Sequence, residues 1–309
     1  MRTVLLLCAV IGIAIVAGTL VWGRTVSASH GARTPDFATE QYGYRLIAQT
    51  TEVLGPDVAD PKMRFTNSRL ACASCHINAG VEPGNLSLAT AMSRYPRISP
   101  RVGGNETIQD RINGCMLRSM NGKALAENSP EMIAMVAYLR FLADQDAATG
   151  ASARKVHESA AFKTPDRAAN LEAGAKVFEK RCAACHGREG EGLAASTNVT
   201  LGYVFPPLWG QYSFNDGAGM HRVLTAAKFI KAKMPLGRAD LSDDEAFDVA
   251  AFINSKPRPE MAGLDRDYPD RTKKPVDTGY GPYADSFSIE QHRFGPFPPI
   301  EAFYKKPQK

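Results

Sequence analysis

Beyond an apolar N-terminal run, the hydrophobic positions of the chain recur mostly at helical spacing. Tyr42, Leu46, Ile47 and Val53 predict a helical stretch over about 40–54, broken at Gly43. A further helix is predicted to start from Asn105 or Thr107 as cap, to run to Met120 and to stop at Asn121-Gly122. Ser129 caps the next, with Pro130 at its first position and Met132, Ile133, Val136, Leu139 and Phe141 as its apolar stripe. Helices are expected again over 171–181 and about 219–231. Ser242 and Glu245 form a capping box that opens the last one, with Phe247, Val249, Ala250 and Phe252 on or near its buried side.

The helices are separated by stretches of other character. Residues 80–104 carry Gly and Pro together with Arg94, Arg97 and Arg101, and read as a long irregular loop; a loop of that length inside a compact domain is usually functional. Residues 143–160 are rich in Ala, Ser and Gly and read as a linker. From Lys256 onward the chain holds nine prolines, many aromatics and no clear period. It is expected to wrap the domains as an irregular arm anchored by Tyr280, Tyr283, Phe287, Phe294 and Phe297.

The pattern occurs twice. Cys72-Ala-Ser-Cys75-His76 and Cys182-Ala-Ala-Cys185-His186 are the same signature. His76 lies 53 residues before the cap Ser129, and His186 lies 56 before the cap Ser242. One helical unit has therefore been duplicated. The expected organisation is a targeting segment over 1–28, a first unit over 36–146, a second over 160–258 and the arm over 259–309.

Cys-x-x-Cys-His is the attachment signature of c-type haem. Two thiols three residues apart on one helical turn can form thioethers with both vinyl groups, and the adjacent His then sits beneath the ring as proximal ligand. A lone copy could serve as a redox dithiol or half a zinc site, but two copies behind helices in a duplicated chain point to two covalently bound haem c groups. Cys72, Cys75, Cys182 and Cys185 would hold them, with His76 and His186 on the irons. Each iron then has a sixth position. In the second unit Met234, followed by Pro235, is the natural candidate; Met220 is a rival, and Lys233 could ligate only as a neutral amine. The first unit has no Met-Pro. There Cys115 stands where a distal ligand is expected, with Met116 and Met120 as alternatives.

Cys115 is also the cysteine left over once the two signatures and Cys8, inside the N-terminal apolar run, are set aside. On a helix Arg111, Cys115 and Ser119 share one face, and Arg118 is one turn from Cys115. A thiol, guanidinium groups and a hydroxyl make a poor core stripe and a good anion site, which Arg101 on the preceding loop could close. Cations nearby favour the thiolate, the form that binds iron and attacks sulfur.

Composition and charge narrow the partners. The 309 residues suffice for two domains and carry a formal charge of +5. That is too mild and too evenly spread for nucleic acid, and suits small anions or an acidic redox partner. Arg2 followed by apolar residues to Trp22 reads as an export signal or as an uncleaved membrane anchor. Either outcome places the body of the protein outside the cytoplasmic membrane.

Several motifs together resemble the dihaem thiosulfate dehydrogenases. They are Asn113-Gly-Cys115, Arg118-Ser-Met-Asn-Gly122, Phe205-Pro-Pro-Leu-Trp-Gly210, Ser213-Phe-Asn-Asp-Gly-Ala-Gly-Met220, Phe229-Ile230 leading to Met234-Pro235, and Gly281-Pro-Tyr-Ala-Asp-Ser-Phe287. The resemblance covers roughly residues 40–300. It implies an all-α fold of two tandem cytochrome c-like domains and a periplasmic enzyme coupling two thiosulfates to tetrathionate, with an electron-accepting cytochrome c or similar redox protein as partner. It implies His76 and Cys115 on the active-site haem, Arg101, Arg111 and Ser119 around the substrate, and His186 and Met234 on the electron-transfer haem. In some members a lysine at the place of Lys233 exchanges with the methionine. Three other readings stand beside it: the same site working mainly as a tetrathionate reductase, a non-catalytic dihaem electron carrier, and a haem subunit of a sulfur-oxidising multienzyme system.

Overall fold

Two helix crossings organise the computed structural model, which describes residues 37–84, 86–150, 162–196 and 202–305. In the first half α1 (Phe37–Ala48) lies across α4 (Pro130–Thr149); in the second, α5 (Leu171–Arg181) lies across α8 (Asp243–Asn254). A glycine sits at each crossing. A Cβ on Gly43 would lie 2.0 Å from the Ala134 carbonyl oxygen, and one on Gly174 would lie 2.1 Å from that of Asp248. The backbones approach too closely for any side chain, so these glycines are fixed by the partner helix. Gly43 therefore does not break its helix, contrary to the periodicity reading; α1 runs through it, and the interruption falls at Gln49 before α2 (Thr50–Leu54).

Between the crossing helices of the first half lies α3 (Ile108–Arg118). Of the two cap candidates Thr107 is the one used: its hydroxyl accepts from the Asp110 amide, and Asp110 returns the bond to the Thr107 amide. The long loop before it is not wholly irregular. β1 (Arg97–Ser99) and β2 (Gly104–Glu106) pair antiparallel, tied by Arg97 to the buried Glu106. In the second half α6 (Ala183–His186) carries the second signature, β3 (Leu193–Ala194) pairs with β4 (Tyr203–Phe205), and α7 (Val223–Lys233) precedes α8. α7 starts later than its pattern suggested because residues 219–221 form a separate 3₁₀ turn. α8 opens with the Ser242–Glu245 capping box read from the sequence.

Each half has its own core. Leu46, Leu54, Met116, Met132 and Met135 fill the first, and Leu241, Phe247, Val249, Phe297 and Ile300 the second. α4 continues to Thr149 and ends at Gly150 in the left-handed region, φ 60°, so the linker is shorter than its composition suggested. Much of that linker, and the predicted export signal or anchor over 1–28, lies outside the described residues. Among the described residues no helix is long and apolar enough to cross a membrane.

The C-terminal arm differs from its irregular expectation. It folds into α9 (Ile289–Phe294), capped by Ser288, and α10 (Pro298–Lys305), which bury Phe294, Phe297 and Ile300 in the second core. Their apolar positions are too few to show a period. Tyr280, Tyr283 and Phe287 are half-buried. Tyr283 stacks on the buried His292 ring at 3.7 Å, and His292 is also held by Asp285 at 3.0 Å. The arm reaches both halves: Asp277 pairs with Arg222 at 2.7 Å, and Asp267 pairs with Arg101 and Arg118.

Because the Gly174 site has no free volume, Gly174→Ala is expected to cost about 1–3 kcal/mol, the usual range for overpacking. Thermal unfolding followed by far-ultraviolet circular dichroism checks this; an unchanged midpoint contradicts the close-approach argument.

Candidate functional site

The two Cys-x-x-Cys-His segments are built alike. In the first, residues 72–74 form a 3₁₀ turn, and the Cys72 amide is fixed by the buried Thr50 hydroxyl at 3.0 Å, which itself donates to the Leu46 carbonyl. His76 donates from Nδ1 to the Leu86 carbonyl at 2.7 Å; His186 donates from Nδ1 to the Pro206 carbonyl at 2.9 Å. Each bond fixes the ring and leaves Nε2 as the lone-pair nitrogen, the arrangement that suits a metal ligand. Burial lowers the proton affinity of both rings, and Arg111 and Arg94 add to this at His76, so both stay in the neutral, ligating form.

All described cysteines are free thiols. Burial pushes the Cys72 thiol up to about 11, with Cys115 adding to it and the Thr50 hydrogen bond opposing it, and the Cys75 thiol up to about 12, with Cys72 and Cys115 adding to it. Burial likewise takes Cys182 to about 11. Yet these side chains and both histidines are only half-buried by area. They are surrounded by protein but face open space. Two free thiols and an oriented imidazole lining a hollow, occurring twice, fit a covalently held haem c in each half.

α3 brings Cys115 within electrostatic reach of Cys72, Cys75 and Arg111, close to the first signature. Met116 and Met120 are 1% and 2% exposed within the first core and turn away from the hollow. Ser119 C-caps α3, one turn on from Cys115, and is half-buried.

The arginines divide into two kinds. Arg111 keeps an exposed side chain, with Cys115 as its strongest electrostatic partner, and makes no hydrogen bond or ion pair with the described residues. It is an uncommitted cation beside the thiol. Arg101 and Arg118 are instead bound together. Each donates Nη1 to the Gly217 carbonyl, at 3.2 and 3.3 Å, and each pairs with Asp267, at 3.2 and 2.7 Å. Tyr280 adds its hydroxyl to the same carboxylate at 2.6 Å, and the Tyr268 ring lies 5.3 Å from the Arg101 guanidinium. A Cβ on Gly217 would stand 2.7 Å from Arg118 Nη1, so the carbonyl can receive both guanidiniums only because the residue is glycine. Asp267 and Tyr268 were not singled out from the sequence, Gly217 stood only within the Ser213–Met220 motif, and Tyr280 was read only as an anchor; none belongs to a local motif with the arginines.

In the second half Met234 C-caps α7, is half-buried, and packs against the second core. Met220 touches both cores, and its carbonyl accepts from Asn254 at 2.9 Å. Lys233 points elsewhere: its ammonium donates to Glu82 Oε1 at 3.3 Å and to the Pro83 carbonyl at 3.0 Å. It thereby ties α7 to the loop that carries Leu86, the partner of His76. His221 is structural, donating from Nδ1 to the Asp216 carbonyl at 2.9 Å, and burial drives its pKa down to about 4.

The buried Asp267 carboxylate balances two half-buried guanidiniums, so removing it should leave uncompensated charge. Asp267→Ala is expected to cost about 3–5 kcal/mol of stability, and Asp267→Asn less, because the amide oxygen still accepts. Denaturant unfolding of the two variants tests the ordering; equal, small losses contradict it.

Comparison with known proteins bears on the same residues. Residues 62–146 match a family model described as SoxA/TsdA, cytochrome c domain, and residues 169–253 match one described as cytochrome c oxidase, cbb3-type, subunit III. The chain is 45% identical over 205 residues to a thiosulfate dehydrogenase of Psychrobacter arcticus, covering 65% of this chain and 60% of that protein. It is 42% identical over 222 residues to one of Allochromatium vinosum, covering 70% and 77%. A solved thiosulfate dehydrogenase (TsdBA) of Marichromatium purpuratum, in its as-isolated form, aligns at a TM-score of 0.64 with 34% identity, over 74% of this chain and 48% of the other. The matched part thus spans three fifths of the Psychrobacter relative and about half of the solved chain. With two cytochrome c domains, each shaped to hold one haem c, the chain belongs to the thiosulfate dehydrogenase family.

Proposed function

We propose that the protein oxidises thiosulfate, joining two molecules into tetrathionate and passing two electrons to a cytochrome-type acceptor outside the cytoplasmic membrane. The observation that carries this reading is the uncommitted Arg111 beside Cys115, on the side of α3 that faces the first Cys-x-x-Cys-His. Thiosulfate and tetrathionate are both dianions, and two dianions repel as their sulfurs approach. Arg111 supplies a full positive charge at the thiol, and Arg101 with Arg118 supplies a further net charge after Asp267 takes its share.

The haem c groups supply one-electron acceptance at each iron. His76 and Cys115 would ligate the first, and His186 and Met234 the second. Met234 is favoured over Lys233 because the lysine is held by Glu82 and Pro83. The residues then do the following. Arg111 binds the sulfonate end of one thiosulfate, with Ser119 as a hydroxyl donor on the same face. The Cys115 sulfur forms a bond to the terminal sulfur of that thiosulfate as two electrons leave, giving a cysteine S-thiosulfonate. The terminal sulfur of a second thiosulfate attacks the outer sulfur of the adduct. Tetrathionate departs, and Cys115 is regenerated as thiolate. Two dianions become one dianion and two electrons, so atoms and charge balance.

A tether through residues 1–28 would hold this chemistry at a membrane surface. Cys115→Gly should abolish turnover while both haems remain attached, which the haem absorbance per protein reports; near-normal turnover overturns the proposal. Arg111→Gln should lower kcat/KM for thiosulfate by about 10²-fold, the usual scale for losing one preorganised electrostatic group. Steady-state kinetics at fixed ionic strength checks it, and an unchanged kcat/KM removes Arg111 from the site.

A further inference from the structure

One hydroxyl beside the arginines has no use within the fold. Tyr268 is 5% exposed, yet its hydroxyl makes no hydrogen bond with the described residues and is not sealed from solvent. A tyrosine buried to this degree ordinarily finds a partner for its O–H.

The residue is held where it is by several ties. Three consecutive residues of the arm clamp the turn that carries Arg101. Asp267 pairs with the Arg101 guanidinium at 3.2 Å, and the Tyr268 amide donates to the Arg101 carbonyl at 2.8 Å. Pro269 packs so closely on Gly103 that a Cβ there would lie 2.5 Å from its Cγ. On the other side the Tyr268 carbonyl accepts from Arg271 Nη1 at 2.8 Å. These ties keep Tyr268 in the left-handed region at φ 57°, where bulky side chains are rarely found. Strain of this kind persists only where the surroundings enforce it, and it collects at ligand sites.

The ring so placed meets both arginines around the thiol. It lies 5.3 Å from the Arg101 guanidinium, and Tyr268 is within electrostatic reach of Arg111. The other groups nearby are committed. Arg222, also within reach of Tyr268, is held by Asp277 at 2.7 Å. Glu106, the acid within reach of Arg111, is held by Arg97 at 2.9 Å, and the Tyr280 hydroxyl is held by Asp267. Tyr95 is a second phenol within reach of Arg111, but it is half-buried beneath Arg97, where solvent can satisfy it.

We propose that the Tyr268 hydroxyl donates a hydrogen bond to the sulfonate of the thiosulfate bound at Arg111. The proposal rests on the reading of Arg111 and Cys115 as the reaction site. A phenol suits the task, because it donates to an oxyanion without changing the charge of the site. The sulfonate is not the end of thiosulfate at which the new bond forms. The contact is therefore alike in bound substrate and transition state, and its loss raises KM while leaving kcat in place.

The test is Tyr268→Phe in the holoprotein, which keeps the ring and the backbone ties and removes one O–H. Its KM for thiosulfate should rise about 10-fold, the scale of a hydrogen bond to a charged group, with kcat, haem content and thermal midpoint unchanged. Because both groups hold one anion, adding Arg111→Gln should cost less than the product of the two single losses. A ring that only props Arg101 predicts an unchanged KM in Tyr268→Phe, and that result overturns the proposal. So does a loss confined to kcat, a rise in KM found in Tyr95→Phe instead, or a fall in midpoint or haem content, which assigns the hydroxyl to the fold. Failure of the underlying reading is separate and shows as a parent protein that does not oxidise thiosulfate. Calorimetric titration with thiosulfate then decides. Binding weakened about 10-fold in Tyr268→Phe sustains the proposal, and equal binding, or none to the parent, overturns it.

Discussion

One buried carboxylate joins the parts of this molecule on which the chemistry depends. Asp267, on the C-terminal arm, holds Arg101 from the hairpin loop and Arg118 from α3, and both arginines rest on the Gly217 carbonyl of the second half. One negative charge against two positive ones leaves the cluster net cationic. An ion pair at this depth is worth little as stability, because desolvation offsets most of the attraction. Its effect is to fix two guanidiniums in place and set how much charge they present. Arg111, which has no such partner, is left to face Cys115. The charge this cluster presents therefore depends on residues drawn from four segments of the chain.

The two hollows share a frame but differ where they must. Each has an imidazole fixed by a backbone carbonyl, and each half has a pair of crossing helices held close by a glycine. The later helices diverge: α3 of the first half carries Cys115 among arginines, and α7 of the second ends at Met234. Lys233 reaches from α7 to Glu82 and Pro83 on the loop that carries Leu86. Ile77 and Leu86 of that loop pack against the second core, so the proximal side of the first hollow lies against the second half.

Much of this was legible in the residues. The two signatures, the Ser242–Glu245 capping box and the spacing of the second-half helices are local, because each is decided by contacts within a turn or two. The proposal for Cys115 rests on analogy with Met234 and on its neighbours one turn away. Gly43 was misread because periodicity treats glycine as a breaker, whereas here a partner helix 91 positions later fixes it; the Ala134 carbonyl occupies the space a side chain would need. The β1–β2 hairpin and the arm helices are too short to carry a period. Asp267 was invisible for a similar reason. Its partners lie 149 and 166 residues away, and no local pattern announces a bond of that span.

The central claim is that thiosulfate is oxidised at Cys115 and its electrons enter the haems. Its most direct measurement is an anaerobic titration of the oxidised protein with thiosulfate, following haem absorbance and assaying tetrathionate. The account expects haem reduction in step with tetrathionate formation, one tetrathionate for each two haem equivalents reduced, and none in Cys115→Gly. Haems that stay oxidised in the presence of excess thiosulfate and an electron acceptor, or a Cys115→Gly protein that is reduced as readily as the parent, would contradict it.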